Sequence, residues 1–322
     1  MTPLVSIVIC TYQRETYLRD ALESVIADML DDGRWEVLVV ENGESKTIRP
    51  LVASFMTTYA NIRYTHESLI GLSHARNRGW REAAGEYVHY IDDDVQVETG
   101  WLEAVMHMIT RERPHGYGGT SYPLYTTPKP HWFRDEYVFE AFYGNTARPL
   151  EPTEFVFGMN MGFSRAILER TGGFDPAFGM TGKKIAYSED LAIQDAIRAC
   201  VPNAVIYYEP AISLRHVVRP EKMQWRWIIR QWWARGRYGY LIMIQRHPGM
   251  PARGIARGRI FGRSILRVGW HTLLFVWSVT GGALRRDRTL YPLPQHYVYE
   301  RGLRHIKSIA RFTEKARAAL KD

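Results

Sequence analysis

The chain has 322 residues, 46% of them hydrophobic and 24% charged, with a net charge of +8. That much apolar material supports a sizeable core in one large domain or two smaller ones, and excludes a disordered or low-complexity protein. The two cysteines, Cys10 and Cys200, lie far apart with no CxxC, which excludes a disulfide framework and a cysteine zinc site and suits a reducing cytosol.

A strand pattern begins within four residues of the start, so no signal peptide is expected. Val5 to Cys10 reads as a buried strand, followed by the loop Thr11-Tyr12-Gln13-Arg14. Tyr17 to Leu30 carries a helical apolar stripe at Leu18, Ala21, Leu22, Val25, Ile26 and Met29, closed by Asp31-Asp32-Gly33. Trp35 to Val40 is a second strand leading into Glu41-Asn42-Gly43. A helix over Ile48 to Tyr59, a short strand Ile62-Arg63-Tyr64 and a helix over Ser73 to Ala84 follow. Glu86 to Ile91 is the next strand, and it delivers Asp92, Asp93 and Asp94. Strands alternating with helices predict βαβ units and a mostly parallel sheet. Right-handed crossovers then place the loops after the strands on one edge, where ligands of such sheets bind.

Three adjacent carboxylates repel one another unless a cation neutralises them. A divalent cation bridging to substrate phosphates would do so. An acidic turn capping the helix at Trp101 is the other reading, and the three residues alone leave both open. The same edge collects Thr11, Tyr12, Arg14, Glu41 and the stretch Gly71 to Gly79 with Arg76. An aromatic to stack a base, a carboxylate for a base N–H and an arginine for base or phosphate make a nucleotide pocket. The chain has no G-x-G-x-x-G after its first strand and no G-x-x-x-x-G-K, which disfavours dinucleotide and P-loop sites.

The next stretch is less regular. Gly116 to Tyr122 reads as a strand, and His131 to Tyr143 is an aromatic-rich stretch suited to packing or to an acceptor. Phe155 to Ser164, a short helix to Thr171 and Gly172-Gly173-Phe174-Asp175 come next. Ser188 is placed to N-cap a helix opening on Glu189 and Asp190. Those two acids suit the helix dipole; alternatively one faces the pocket as a general base. Strands at Ala204 to Tyr208 and Ile212 to Leu214 precede a lone histidine, His216, open to a structural or a metal-binding reading.

In order, Thr11-Tyr12-Gln13-Arg14, Glu41-Asn42-Gly43, Gly71-Leu72-Ser73-x-Ala75-Arg76-Asn77-x-Gly79, Asp92-Asp93-Asp94, Gly158-Met159-Asn160-Met161, Gly172-Gly173-Phe174-Asp175, Glu189-Asp190 and His216 resemble family 2 glycosyltransferases. These are inverting enzymes with the GT-A fold, and the resemblance covers roughly residues 4–240. It implies a catalytic domain over 1–220, with a nucleotide half (1–115) and an acceptor half (116–220). Thr11, Tyr12 and Glu41 would hold the nucleoside, with Arg76 near the base and Arg14 beside them. Asp92 and Asp93 would sit near ribose and diphosphate, and Asp94 with His216 would bind Mn²⁺ or Mg²⁺. Asp190 of the Glu189-Asp190 pair would be the catalytic base. Asn160 falls on the acceptor side, as do Trp232 and Trp233, which loosely resemble motifs of processive relatives. One departure is Glu41, where the family usually has Asp; it puts uracil recognition in question.

Charge is unevenly spread: 23 Lys/Arg against 5 Asp/Glu from Arg215 to Asp322 give +18, leaving −10 for residues 1–214. Residues 221–322 read as a basic helical region, with Trp225, Trp227, Trp232 and Trp233 in its first helix. Arg259, Arg263 and Arg267 share one helical face, and Gly254, Gly258 and Gly262 another. Val268 to Leu284 is nearly uncharged but short of the ~20 apolar residues of a spanning helix. The expectation is peripheral docking on an anionic cytoplasmic leaflet. The leading reading is therefore a metal-dependent transferase moving a sugar from a nucleotide-diphospho-sugar, UDP-sugar favoured, to a glycan or lipid-linked acceptor. A nucleotidyltransferase is disfavoured because the loop after strand one lacks glycine. A non-catalytic nucleic-acid binder would use the basic third, but the pocket motifs lie in the acidic part, so no nucleic acid is expected.

Overall fold

The computed structural model describes residues 2–29, 33–138, 142–182, 186–246 and 255–320. The expected helix end at Leu30, Asp31 and Asp32, residues 139–141 of the aromatic stretch, Arg253, Gly254 and the side chain of Arg259 lie outside them. Two compact units are present. The first comprises Met1–Tyr125, Asp135–Lys184 and Glu189–Val218; the second comprises Thr126–Arg134, Ile185–Ser188 and Arg219–Asp322. Two short segments from within the first 220 residues thus join the C-terminal unit, which no contiguous cut of the sequence separates.

The first unit is built on a sheet with β1 (Val5–Thr11), β2 (Trp35–Asn42), β3 (Ile62–Glu67) and β4 (Tyr87–Asp92) in the order 3-2-1-4. These four are parallel, as the βαβ pattern requires. α1 (Glu15–Ala27), α2 (Ile48–Met56) and α3 (Leu72–Glu82) are the crossovers. β1 and β2 are apolar nearly throughout because helices cover both faces. α1 buries Leu18, Ala21, Leu22 and Val25, its predicted stripe. α3 lies so close to the sheet that a Cβ on Gly79 would sit 2.5 Å from Val8 Cγ1. A buried carboxylate in this core, Glu36, accepts from Ser6 Oγ (2.6 Å), Arg63 (2.8 Å) and the Ala84 N–H (2.7 Å).

Beyond β4 the chain departs from simple alternation. Asp93 and Asp94 form a turn into β5 (Val95–Val97), then α4 (Trp101–Glu112) follows. Asp28 caps α4 from a distance, accepting from the N–H groups of Gly100 (2.6 Å) and Leu102 (2.7 Å). β6 (Gly116–Tyr125), β7 (Arg148–Pro149), β8 (Asn160–Ser164) and β9 (Ile206–Val218) complete one mixed sheet, with α5 (Arg165–Thr171) and α6 (Glu189–Cys200) between β8 and β9. The two strands expected at 204–214 are one long β9, whose pairing with β6 shifts register between Gly118 and Thr120. Parallel pairing still carries most of the paired residues; β5, β7 and β8 pair antiparallel. Ser188 is not the extended N-cap expected of it: its φ is +81°, in the left-handed region.

The second unit holds α7 (Trp225–Arg246), α8 (Ile255–Trp277), α9 (Pro294–Tyr297) and α10 (Leu303–Leu320). α10 packs on both α7 and α8. Trp132 stacks on Trp225 with ring centroids 4.8 Å apart, and Arg134 bonds His296 (2.9 Å) and Glu300 (3.2 Å). The aromatic residues at 132–133 therefore pack, as one of their two readings held. Among the described residues, no helix is long and apolar enough to cross a membrane.

Candidate active site

All the motif residues except Trp232 and Trp233 belong to the first unit. β1 and β4 are neighbours in register, with Cys10 beside Asp92, so Thr11 and the aspartates leave the sheet at one edge. Thr11 Oγ1 donates to Asp93 (2.7 Å), and Arg14 bonds Asp93 at 2.9 Å and pairs with Asp94 at 3.6 Å. Burial pushes the Asp93 carboxyl up to about 6, against the pull of Arg14 and Thr11. Arg14 is thus a partner of the aspartate cluster as well as a cation on the pocket edge.

His216 arrives through the sheet. β5 pairs antiparallel with β9, which sets Val95 opposite His216, and Val217 N–H donates to Asp94 O at 2.9 Å. His216 Nε2 then lies 3.2 Å from Asp94 Oδ1. One ligand atom each from Asp92, Asp94 and His216 falls within 4.8 Å of the others. Two carboxylate oxygens and an imidazole nitrogen suit a hard to borderline divalent ion such as Mn²⁺ or Mg²⁺. The residues present therefore fit the metal.

Glu41 is buried at the end of β2. Tyr64 donates to its Oε2 at 2.5 Å, and burial together with that bond pushes the Tyr64 phenol up to about 12, so it stays a donor. Glu41 Oε1 is buried with no hydrogen-bond partner. A buried carboxylate oxygen in that condition is costly unless a ligand donor completes it. The Tyr12 ring lies against Gly43, where a Cβ would come within 3.1 Å of it. Tyr64 was missed in the sequence because it falls on a strand read as plain core.

Arg76, expected near the base, is engaged by groups of the protein itself. It is only 2% exposed, and its terminal nitrogens reach Glu189 (2.9 Å), Asp92 (3.3 Å) and the Gly158 carbonyl (3.0 Å). Tyr90 and Phe174 flank the guanidinium. With three acceptors inside the protein, it ties the acid pair of α6 to the aspartates of β4. Asp190, next in line, accepts from the N–H groups of Gly158 (3.2 Å) and Leu191 (2.9 Å). Burial and the neighbouring Glu189 charge raise its carboxyl to about 7, although Arg76 pulls it down. Gln194, one turn on, bonds the Asp190 carbonyl (2.7 Å) and both backbone groups of Val156, which fixes the loop before Gly158. A glutamine four residues after an aspartate was the available signal, and it went unread.

Asn160, expected on the acceptor side, lies in the core. It is 1% exposed; its amide donates to Thr120 O and Ile212 O, and its oxygen meets Trp101 Nε1 and His89 Nε2. Every polar atom of its side chain is used within the core, so it stitches three strands together. Trp232 and Trp233 lie on α7 of the second unit, Trp232 edge-on to Tyr299 at 5.9 Å and Trp233 at the surface. Two other motif pieces meet in packing: Asn77 bonds the Phe174 carbonyl and N–H and takes the Trp80 indole N–H.

An α/β sheet of this order, handing acids to one edge, is the GT-A fold of glycosyltransferases. The chain belongs to glycosyl transferase family 2, whose family model matches residues 6–172, and it is a glycosyltransferase. A glucosyl-dolichyl phosphate glucuronosyltransferase of Haloferax volcanii is 25% identical over 238 residues, covering 71% of this chain and 74% of that protein. A putative glycosyltransferase EpsH of Bacillus subtilis is 29% identical over 105 residues, spanning 33% of this chain and 30% of EpsH. The mannosyltransferase PcManGT of Pyrobaculum calidifontis, solved with GDP-Man and Mn²⁺, superposes with a TM-score of 0.59 at 14% identity, over 98% of this chain and 86% of that one. GalNAc-T7, solved with UDP, GalNAc and Mn²⁺, gives 0.54 at 16%, over 72% and 47%.

Proposed function

We propose that this enzyme moves a sugar from a nucleoside-diphosphate sugar to an acceptor hydroxyl in one displacement that inverts the anomeric centre. The observation that carries this reading is the pairing of two acid sets in one unit: Asp92, Asp94 and His216 at one end of Arg76, and Glu189 with Asp190 at the other. Asp92, Asp94 and His216 would hold Mn²⁺, which when bound stabilises the charge that grows on the departing diphosphate. Asp190 takes the acceptor proton as the oxygen attacks, and a carboxyl raised to about 7 suits that task. Glu189 is held by Arg76 and is a positioning residue.

Tyr12 stacks the base and Glu41 Oε1 accepts a ring N–H from it. Uracil offers one such N–H and guanine offers a ring N–H beside an amino group, so a UDP-sugar is the favoured donor. Glu41→Ala is expected to weaken nucleotide binding about tenfold or more, the worth of a hydrogen bond to a buried charge. Tyr64→Phe should weaken it less, since it frees the carboxylate without deleting it. Isothermal titration with UDP, GDP and dTDP measures both variants; an unchanged affinity in Glu41→Ala removes Glu41 from the base site.

The acceptor is a glycan or a lipid-linked molecule, reached from the cytoplasmic face of an anionic membrane. The relative from Haloferax volcanii, named for a dolichyl phosphate substrate, and the +18 charge of residues 215–322 support this. The deciding experiment is calorimetry of UDP-, GDP- and dTDP-sugars with and without Mn²⁺. Asp94→Ala is expected to lose the Mn²⁺-dependent part of donor affinity and all turnover, with an unchanged circular dichroism spectrum. Equal Mn²⁺-assisted affinity in wild type and Asp94→Ala would overturn the metal assignment.

A further inference from the structure

α8 and the turn that follows it have two unlike faces. Ser264, Val268, His271, Leu274, Phe275, Ser278 and Gly282 form the covered one, against which α10 packs. The opposite face is apolar and exposed. Leu266 is 74% exposed, Trp270 60%, Leu273 66% and Leu284 76%, with Val276, Trp277 and Val279 also open to solvent. A helix that buries only one of two apolar faces leaves the other in need of an apolar partner. The charges lie at the two ends of this stripe. Arg263 is exposed at its start, where the Arg267 guanidinium lies over the Phe312 ring of α10, and Arg285 and Arg288 are exposed at its finish. The one acid nearby, Asp287, is engaged in its own turn, accepting from the Thr289 N–H at 2.8 Å.

We propose that this face of α8 lies in the interfacial layer of an anionic bilayer, parallel to its plane, with the arginines exposed at its two ends among the lipid headgroups. The inference rests on the membrane-acceptor reading above and names the surface that serves it. Several features select lipid over other occupants. Among the described residues no helix is long and apolar enough to cross a membrane, so the membrane contact proposed for α8 is a surface one. Two tryptophans stand on the open face, where amphipathic rings favour the headgroup boundary. A second copy fits poorly. Packed antiparallel, Arg263 and Arg267 would meet the partner copy's Arg285 and Arg288; packed parallel, each cluster would meet itself. Like charges repel in either arrangement, whereas anionic headgroups are complementary to both clusters.

The test uses the full-length protein, sedimented with vesicles of phosphatidylcholine alone or mixed with phosphatidylglycerol. Wild type is expected to bind the mixed vesicles, less tightly as salt rises. The double variant Leu266→Ser/Leu273→Ser, changed only at exposed positions, should partition at least about tenfold less well. The pair Arg263→Gln/Arg267→Gln should bind less well at low salt and lose part of the salt dependence. Nucleotide-sugar binding, measured in parallel, should be the same in all of them. Failure of wild type to bind a nucleotide-sugar would overturn the donor reading, independently of the vesicles. Wild type that ignores anionic vesicles, or a serine variant that still binds like wild type, overturns the assignment of α8. A wild-type dimer in light scattering that the serine variant converts to monomer gives the face to a second copy and also overturns it.

Discussion

Asp190→Asn is expected to lower the rate of sugar transfer by about 10²- to 10⁴-fold, the usual worth of a positioned general base, while donor affinity is retained. The amide keeps the shape and can still accept one of the two N–H groups, from Gly158 and Leu191, that orient the carboxylate. It cannot take a proton. In the wild type, burial and Glu189 raise the carboxyl to about 7, so kcat/KM should rise with pH through that region and level off above it. The same shift has a signed effect on stability. A carboxyl protonated more readily when folded than when unfolded favours the fold at low pH and disfavours it as pH rises through about 7. Asn carries no such dependence. Denaturation at pH 5 and pH 8 should therefore show the variant gaining on wild type at the higher pH. If Asp190→Asn turns over normally and Glu189→Gln does not, the roles of the two acids are reversed.

The parallel half of the sheet was legible because each strand there is a continuous apolar run and each helix carries a 3.6-residue stripe. The same is true of its loops: once four strands are parallel, Thr11, Glu41, Arg76 and Asp92 must come near one edge. What the sequence hid is what depends on long-range pairing. β5 is three residues long and exists because β9 pairs with it, which is also what brings His216 to Asp94. Local pattern contains neither fact. The core partners of Asn160 were hidden for a related reason. A polar residue in a motif resembles a ligand contact, but four core groups that need hydrogen bonds use it completely. Ser188 fits the composition of an N-cap, yet its backbone is left-handed.

Arg76→Met is expected to destabilise the first unit by about 3–5 kcal/mol, the cost of leaving the buried Glu189 carboxylate without its cation. Three partners lose their donor at once: Glu189, Asp92 and the Gly158 carbonyl. Burial works against the guanidinium's charge, but Glu189 and Asp92 outweigh it and hold the group more firmly protonated than usual. The variant has a second effect that a purely structural residue would not produce. Arg76 lowers the Asp190 carboxyl, so without it the acid limb of the pH–rate profile should move above about 7. Arg76→Lys separates the two effects. Lysine keeps a positive charge near Glu189, so the limb should stay close to its wild-type position. It lacks the planar fork that reaches three acceptors, so stability should still fall, though by less. Urea denaturation and kcat/KM measured across pH give both quantities. A shifted limb in Met together with a wild-type limb in Lys would identify Arg76 as the residue that tunes the base; identical profiles in wild type, Met and Lys would leave it a packing residue alone.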